Sequence, residues 1–402
     1  MNILGAYYKK TIDFKCQNKI LKFKVSQSLF SSHNIDFGTQ RLLRTFVNKQ
    51  SRFGKILDLG CGYGTIGITL KAINSYNDVH MIDRDALAVE FTKLNVKLNN
   101  IEKVQAYGSL GYDDVTEKDF DLIISNIPAK VGKKVLTHML VDSKYFLKKD
   151  GLVAIVVIDG ITEDVNEILS DPNINVVFRK SWPGHTVFHY KFQSTAFLES
   201  YTTPNSFETG LYDRAQTSFN FLNKIITLKT TFNLPEFNEM SYETQLLMKS
   251  MRSLQSQNVS RCLTFNVNQG HIPVALSLLK HIGKIMVVDR NLQSLKTTER
   301  NLIFNGLPRE KITLKHQVGV SINQPNIDCA LTTLNKKEER KVNAFLADQI
   351  ASQLRLNGVA LLVSSSNVIT QIEAVIKKSK GIIIQNRIRQ RGKSSLSFKK
   401  TS

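Results

Sequence analysis

Cysteine is scarce in this chain of 402 residues: Cys16, Cys61, Cys262 and Cys329 stand far apart, with no C-x-x-C pair. That spacing argues against a disulfide framework and against a metal site, and it points to a reducing, cytoplasmic setting. Long hydrophobic runs are missing too. The longest uninterrupted one, 152–158, is far too short to cross a bilayer. The N-terminus lacks a basic region followed by an apolar stretch, so no signal peptide is expected. Acidic residues are the third scarcity: 34 Asp and Glu face 54 Lys and Arg, a net charge of +20. An excess of that size destabilises a compact chain by self-repulsion, and a polyanionic partner is its natural explanation, nucleic acid before a membrane surface. Apolar residues, by contrast, are present at the 42% expected of a globular protein, over a length sufficient for two domains.

The most informative stretch is Lys55-Ile-Leu-Asp-Leu-Gly-Cys-Gly-Tyr-Gly-Thr-Ile-Gly-Ile-Thr-Leu70. A β-prone run reaches Asp58, glycines follow at Gly60, Gly62 and Gly64, and an apolar helical pattern comes next. Strand, tight turn and helix in that order let backbone approach a ligand closely and present helix N–H groups to it. Val79-His-Met-Ile-Asp83 reads as the next strand, with Arg84 behind it. A carboxylate at that strand end, about 20 residues past the glycines, can accept hydrogen bonds from both hydroxyls of a ribose. The G-x-G-x-G spacing differs from the G-x-G-x-x-G of dinucleotide folds.

Asp58-Leu-Gly-Cys-Gly-Tyr-Gly64 with Asp83 resembles the cofactor site of class I S-adenosylmethionine-dependent methyltransferases. More narrowly, residues 29–43 and Ser125-Asn-Ile-Pro-Ala-Lys-Val-Gly132 are similar to segments of the methyltransferase small domain family, which includes ribosomal RNA small-subunit guanine-N2 methyltransferases. The resemblance implies that Asp58, Gly60, Gly62, Gly64, Asp83, Arg84 and Asn126 surround S-adenosyl-L-methionine. It implies that 30–41 closes over the methionine end, and that Ser109 stands in the loop framing the adenine. The resembling enzymes usually read Asn-Pro-Pro and then an aromatic or apolar residue; here one proline is Ile127, and Ala129 cannot stack on a base.

Asp121-Leu-Ile-Ile-Ser125 reads as a strand with Asn126 and Pro128 at its C-terminal end, the edge where open α/β sheets bind ligands. An exocyclic base amine is a poor nucleophile because its lone pair is delocalised into the ring. Two acceptors, the Asn126 side chain and the Ile127 carbonyl, would take its hydrogens and aim the lone pair, with Pro128 fixing the turn. Lys130, Lys133 and Lys134 beside this edge suit a phosphate backbone. Lysines alternating with apolar residues over 19–25 suggest a strand with one basic face. A helix is expected over 136–147, a buried strand over 151–158, and a terminal hairpin across Trp182-Pro-Gly184 in which His185 and His189 are structural.

The chain then repeats itself. Tyr7, Phe14, Asn18 and Thr39 are matched by Tyr212, Phe219, Asn223 and Thr244 at a constant offset, and Asp83, Asn95 and Asp121 by Asp289, Asn301 and Asp328 slightly further on. The copy replaces Gly60-Cys-Gly-Tyr-Gly64 with Asn266-Val-Asn-Gln-Gly270, and Asn126-Ile-Pro128 with Thr333-Leu-Asn335. Its tail is basic, with Arg387, Arg389 and Arg391 among nine cations that follow Glu373. The expectation is therefore an α/β protein of two tandem Rossmann-like folds, each a seven-stranded, mostly parallel sheet with a terminal antiparallel hairpin. Residues 1–195 form the catalytic domain, 196–209 a linker, and 210–402 a degenerate domain that binds RNA. The function expected is methylation of a base amine, guanine N2 in ribosomal RNA. The alternatives are a non-catalytic RNA-binding or assembly factor that keeps the cofactor pocket, and a methyltransferase acting on protein or a small molecule.

Overall fold

The computed structural model describes residues 2–47, 53–193, 205–255, 259–321, 326–335 and 338–402, so most of the expected linker lies outside the described residues. Two compact units emerge: Tyr8–Tyr212, and Asp213–Ser402 together with Met1–Tyr7. The N-terminal segment thus groups with the second unit, where helix α1 (Ile3–Tyr7) buries Ala6 and Tyr7 and the Arg290 guanidinium lies 5.8 Å from the Tyr7 ring.

In the first unit, β1 (Tyr8–Cys16) and β2 (Lys19–Ser26) form an antiparallel pair. Leu21, Phe23 and Val25 are buried and Lys22 is exposed, as the alternation predicts. Helix α2 (Phe37–Val47) leads to β3 (Lys55–Leu59), α3 (Thr65–Ile73), β4 (Asp78–Asp83), α4 (Ala86–Leu98), β5 (Val104–Gly108) and β6 (Phe120–Asn126). Then come α5 (Lys133–Val141), β7 (Leu147–Ile158), α6 (Thr162–Leu169), β8 (Ile174–Trp182) and β9 (His185–Phe192). The strand order is β5-β4-β3-β6-β7-β9-β8, parallel except for the final hairpin. Ile56, Leu57, Leu122, Ile123, Ile124 and Ala154 are at most 1% exposed, so the central strands are covered on both faces as parallel strands require.

The helix expected over 136–147 starts and stops earlier. The Ser143 hydroxyl donates to the Leu140 carbonyl, and Phe146 N–H turns back to Ser143. Buried Phe146 and Leu147 then serve the sheet, with Phe120 N–H donating to the Phe146 carbonyl. Helix α2 starts at Phe37, where the Asp36 carboxylate accepts from Thr39 N–H at 3.0 Å and caps its first turn. His189 is buried, stacked on Phe46 and 2.9 Å from Thr45 Oγ1, a structural histidine as expected.

The second unit repeats the plan: β10 (Asp213–Phe221), β11 (Lys224–Thr231), α7 (Tyr242–Met251), β12 (Val259–Phe265), α8 (His271–Ser277), β13 (Ile282–Asp289), α9 (Leu292–Phe304), β14 (Ile312–His316), β15 (Ile327–Thr333), α10 (Arg340–Gln353), β16 (Leu354–Ser365), α11 (Ser366–Ile376), β17 (Ile382–Gln390) and β18 (Lys393–Lys400). Its sheet has the same order, β14-β13-β12-β15-β16-β18-β17. The repetition extends to single hydrogen bonds. Fully buried Asn95 accepts from Lys24 N–H and donates to the carbonyls of Lys24 and Tyr63, pinning β2 to α4. Asn301 does the same with Lys229 and Gln269. Asp121 accepts from the N–H groups of Gly54 and Lys55, and Asp328 from those of Ser260 and Arg261.

Truncating Asn95 leaves one backbone donor and two carbonyls buried without partners. Asn95→Ala is expected to lower the unfolding free energy by about 2–3 kcal/mol in urea titrations, against no more than about 0.5 kcal/mol for half-buried Asn166→Ala, whose amide makes only a solvent-exposed bond to Glu163.

Candidate active site

The chain must turn sharply from β3 into α3, and it does so through left-handed backbone: Gly60, Gly62 and Gly64 have φ of 78°, 58° and 89°. The turn is pinned from below, since Gly60 and Cys61 both donate N–H to the Ile82 carbonyl at 2.9 Å. A Cβ at Gly60 or Gly62 would meet nothing within 4 Å, so the turn opens onto free space. Gly64 differs: a Cβ there would lie 2.9 Å from Ile68 Cδ1, so this glycine serves packing. The Tyr63 hydroxyl donates to the Ser31 carbonyl at 3.3 Å and anchors the 29–43 segment to the turn.

Two carboxylates flank this turn. Asp58 is fully buried; its Oδ2 accepts from Gly67 N–H at 2.8 Å, while Oδ1 has no partner among the described residues. Burial pushes its pKa up to about 7 against the lowering effect of the Gly67 N–H, and Asp83 adds to the rise. Asp83 accepts one backbone N–H on each oxygen, from Asp85 and Gly62, both at 2.9 Å. Each oxygen therefore keeps a lone pair, and burial raises this group to about 6. Arg84 beside it is exposed.

Asn126 ends β6, and its Nδ2 donates to Asp36 Oδ2 at 3.0 Å and to Thr39 Oγ1 at 2.9 Å. Ile127 N–H donates to the Val156 carbonyl and its side chain is buried, which explains an apolar residue where the resembling enzymes carry proline. Pro128, Ala129 and Lys130 are exposed. Sequence reading missed Asp36. Its signal was there, since an acid three residues before Thr39 is an N-cap pattern, but nothing local ties it to Asn126.

The other expected residues fall out differently. The Ser109 hydroxyl donates to the Gly111 carbonyl at 2.8 Å and accepts from Asp114 N–H at 3.2 Å, and it is buried. Lys133 is ion-paired with Glu167 at 2.6 Å, and Lys130 and Lys134 are exposed. Arg387 is held by Glu373 at 2.6 Å and by Thr370, and Arg391 lies 5.4 Å from the Tyr242 ring. Arg389 is exposed.

Over residues 20–179 the sequence matches the methyltransferase small domain. It is 35% identical over 150 residues to the uncharacterized protein YbxB of Bacillus subtilis, covering 37% of this chain and 74% of that one. The chain belongs to the methyltransferase small domain family. With membership come the methyltransferase class and S-adenosylmethionine as cofactor. The chain is 30% identical over 188 residues to ribosomal RNA small subunit methyltransferase C of Buchnera aphidicola, covering 46% of this chain but only 55% of that relative. With the Haemophilus influenzae protein of the same name it shares 36% identity over 132 residues, 32% of this chain and 39% of that one. In fold it is similar to the T. thermophilus 16S rRNA N2 G1207 methyltransferase, with a TM-score of 0.68 at 15% identity over 99% of this chain and all of that one.

The residues present fit the cofactor. Its adenosine needs an open glycine turn and an acceptor for ribose hydroxyls, and its cationic methionine end needs an anion; Gly60 and Gly62, Asp83, and the unpartnered Asp58 Oδ1 supply these. The second unit does not repeat the arrangement. Asn266 and Asn268 keep the left-handed turn (φ 55° and 50°), but the Asn266 amide donates to the Thr333 carbonyl and Thr264 stands in place of Asp58. Glu236 lines the neighbouring space, accepting from Thr244 Oγ1 at 2.7 Å, with His271 Nδ1 3.4 Å away. Burial pushes the Glu236 pKa up, but His271, Ser241 and Thr244 outweigh it and hold the carboxyl below its ordinary value.

Calorimetry is expected to find one S-adenosylmethionine per chain. Asp58 and Asp83 are raised without ligand, and a cationic ligand favours their ionised forms. Affinity therefore rises with pH through about 6 to 7 and levels off above, with proton release in that window. Affinity that falls or stays flat from pH 5.5 to 7.5 contradicts this assignment. Without ligand the sign for stability is opposite: a carboxyl raised in the folded state loses stability as pH climbs from its unfolded value towards 7.

Proposed function

We propose that the chain methylates the exocyclic amine of a base, guanine N2, in small-subunit ribosomal RNA, and that it does so in the cytoplasm. The observation that carries this reading is the state of the Asn126 amide. A carboxylate oxygen only accepts, so Asp36 compels Asn126 to point its NH₂ inward and leaves Oδ1, with no partner among the described residues, as an acceptor at the carboxyl edge of the sheet. S-adenosylmethionine supplies an electrophilic methyl group on a cationic sulfur. Asn126 Oδ1 and the Ile127 carbonyl take the two amine hydrogens, localise the lone pair and aim it. Pro128 holds the turn that keeps those acceptors together. An acceptor pair of this kind suits an amine that loses conjugation as it attacks; it offers nothing to a carboxylate nucleophile. The Buchnera and Haemophilus relatives are named for ribosomal RNA, which supports the substrate class.

RNA binding belongs chiefly to the second unit. It holds 28 Lys and Arg against 12 Asp and Glu, while Tyr8–Tyr212 holds 26 against 22. The contrast is sharpest in one repeated piece of fold. Residues 162–192 carry three cations and four acids, and the matching 366–400 carry nine cations and one acid. Arg387 and Lys377 are occupied by Glu373, whereas Lys378, Lys380 and Arg389 are exposed and suited to phosphate.

Methyl transfer from radiolabelled S-adenosylmethionine to small-subunit RNA is expected for the wild type and to fall at least about 100-fold in Asn126→Ala. Cofactor binding with no label in any RNA would overturn the enzyme reading and leave an RNA-binding factor. Replacing Lys378, Lys380 and Arg389 with alanine is expected to weaken RNA binding and to flatten the slope of log K against log salt by about 0.7 per lost contact to single-stranded RNA. An unchanged slope would move the RNA elsewhere.

A further inference from the structure

The fold contains the same helix start twice, once with Asn126 opposite it and once without, and the difference isolates one carboxylate. In the first unit Asp36 Oδ2 accepts from Thr39 N–H at 3.0 Å and from Asn126 Nδ2 at 3.0 Å, and Thr39 Oγ1 accepts the second Nδ2 hydrogen at 2.9 Å. In the second unit Ser241 takes the place of Asp36. Its Oγ accepts from Thr244 N–H at 3.1 Å, so the backbone cap there is a hydroxyl, while the Glu236 carboxylate accepts from Ser241 N–H at 3.2 Å and from Thr244 Oγ1 at 2.7 Å. Where Asn126 has become Thr333, the residue at the position of Asp36 is no longer a carboxylate, and the one nearby, Glu236, is bound to Thr244 instead.

The surroundings hold Asp36 rigidly. Gln40 donates to the carbonyl of buried Ile35 at 2.8 Å. Arg41 donates to the Pro183 carbonyl at 2.8 Å, lies 3.1 Å from His185 Nδ1 and stands 5.7 Å from the Trp182 ring, tying α2 to the β8–β9 hairpin. Between them, a Cβ at Gly38 would lie 2.6 Å from His185 Cδ2 and 2.8 Å from Asp36 Oδ2, so only glycine lets the capped turn approach this closely.

We propose that Asp36 and Thr39 are positioning residues that lock the Asn126 amide in the one flip that presents Oδ1, not NH₂, to the base amine. A flipped amide would set donor against donor and repel the substrate's own N–H groups. A charge-assisted bond to Asp36 also polarises the amide and makes Oδ1 a stronger acceptor. The inference rests on the methyl-transfer reading above and names what makes its acceptor work.

The decisive variant is Asp36→Ser, which leaves a hydroxyl to cap Thr39 N–H, as Ser241 caps Thr244 N–H, and removes the carboxylate that faces Asn126. It is expected to lower kcat by about 10- to 100-fold, with KM for RNA and Kd for S-adenosylmethionine changed by no more than about twofold. In an Asn126→Ala background the same substitution is expected to add nothing, because Asp36 acts only through Asn126. Thr39→Val should give a smaller loss of the same kind. Equal losses from Asp36→Ser with and without Asn126→Ala, or an unchanged kcat, overturn the inference while leaving the enzyme reading intact. A readout independent of turnover is hydrogen exchange at the Asn126 side-chain amide, followed by selective ¹⁵N-asparagine labelling. It is expected to be slow in the wild type and fast in Asp36→Ser. Fast exchange in the wild type defeats the clamp, whereas a protected amide in a protein that labels no RNA defeats the methyl-transfer reading instead.

Discussion

Everything near the site depends on a left-handed turn between a parallel strand and the helix after it. The strand must end, the helix must start at its tip, and the residues between have positive φ in both units: 78°, 58° and 89° at Gly60, Gly62 and Gly64, and 55°, 50° and 89° at Asn266, Asn268 and Gly270. Glycine and asparagine tolerate that backbone best, so either residue preserves the fold. The two units therefore share a backbone solution and differ in the side chains that stand at it.

Duplication leaves structural duties visible as the bonds that survive. Asn95 and Asn301 hold the hairpin to the helix in the same way, and Asp121 and Asp328 close the strand entries with the same pair of backbone bonds. What differs lies at the carboxyl edge of the sheet: Asp58 is Thr264, Asp36 is Ser241 and Asn126 is Thr333. The corresponding place in the copy is lined by groups that bind one another, Asn266 to Thr333 and Glu236 to Thr244. Charge moved the opposite way, accumulating on α11 to β18 of the copy while the matching α6 to β9 of the first unit stayed near neutral. A unit with this excess of cations repels itself, and a polyanion offsets that repulsion.

Much of this was legible without coordinates because it is local. Alternation over 19–25, the buried strand over 151–158 and the strand ending at Asp83 are short-range patterns, and each forms the expected strand. Element ends were harder. Residues 142–147 have helical composition, yet Phe146 and Leu147 are drawn into the sheet by the Phe120 N–H, a partner more than twenty positions away. Residue roles were harder still. Ser109 and Arg387 look available in the sequence, and both are occupied by neighbours that the fold brings to them.

The sequence by itself determined the fold, its repetition, the cofactor turn and the imbalance of charge. Each is written in backbone preference, periodicity or composition, and these act over a few residues or over the chain as a whole. Tertiary structure alone decided which polar groups meet. Asp36 and Asn126 are separated by 90 positions and meet at 3.0 Å because a helix cap and a strand end reach the same edge of one sheet. A side-chain hydrogen bond has no period and no local propensity; it exists only once packing has brought its two ends together.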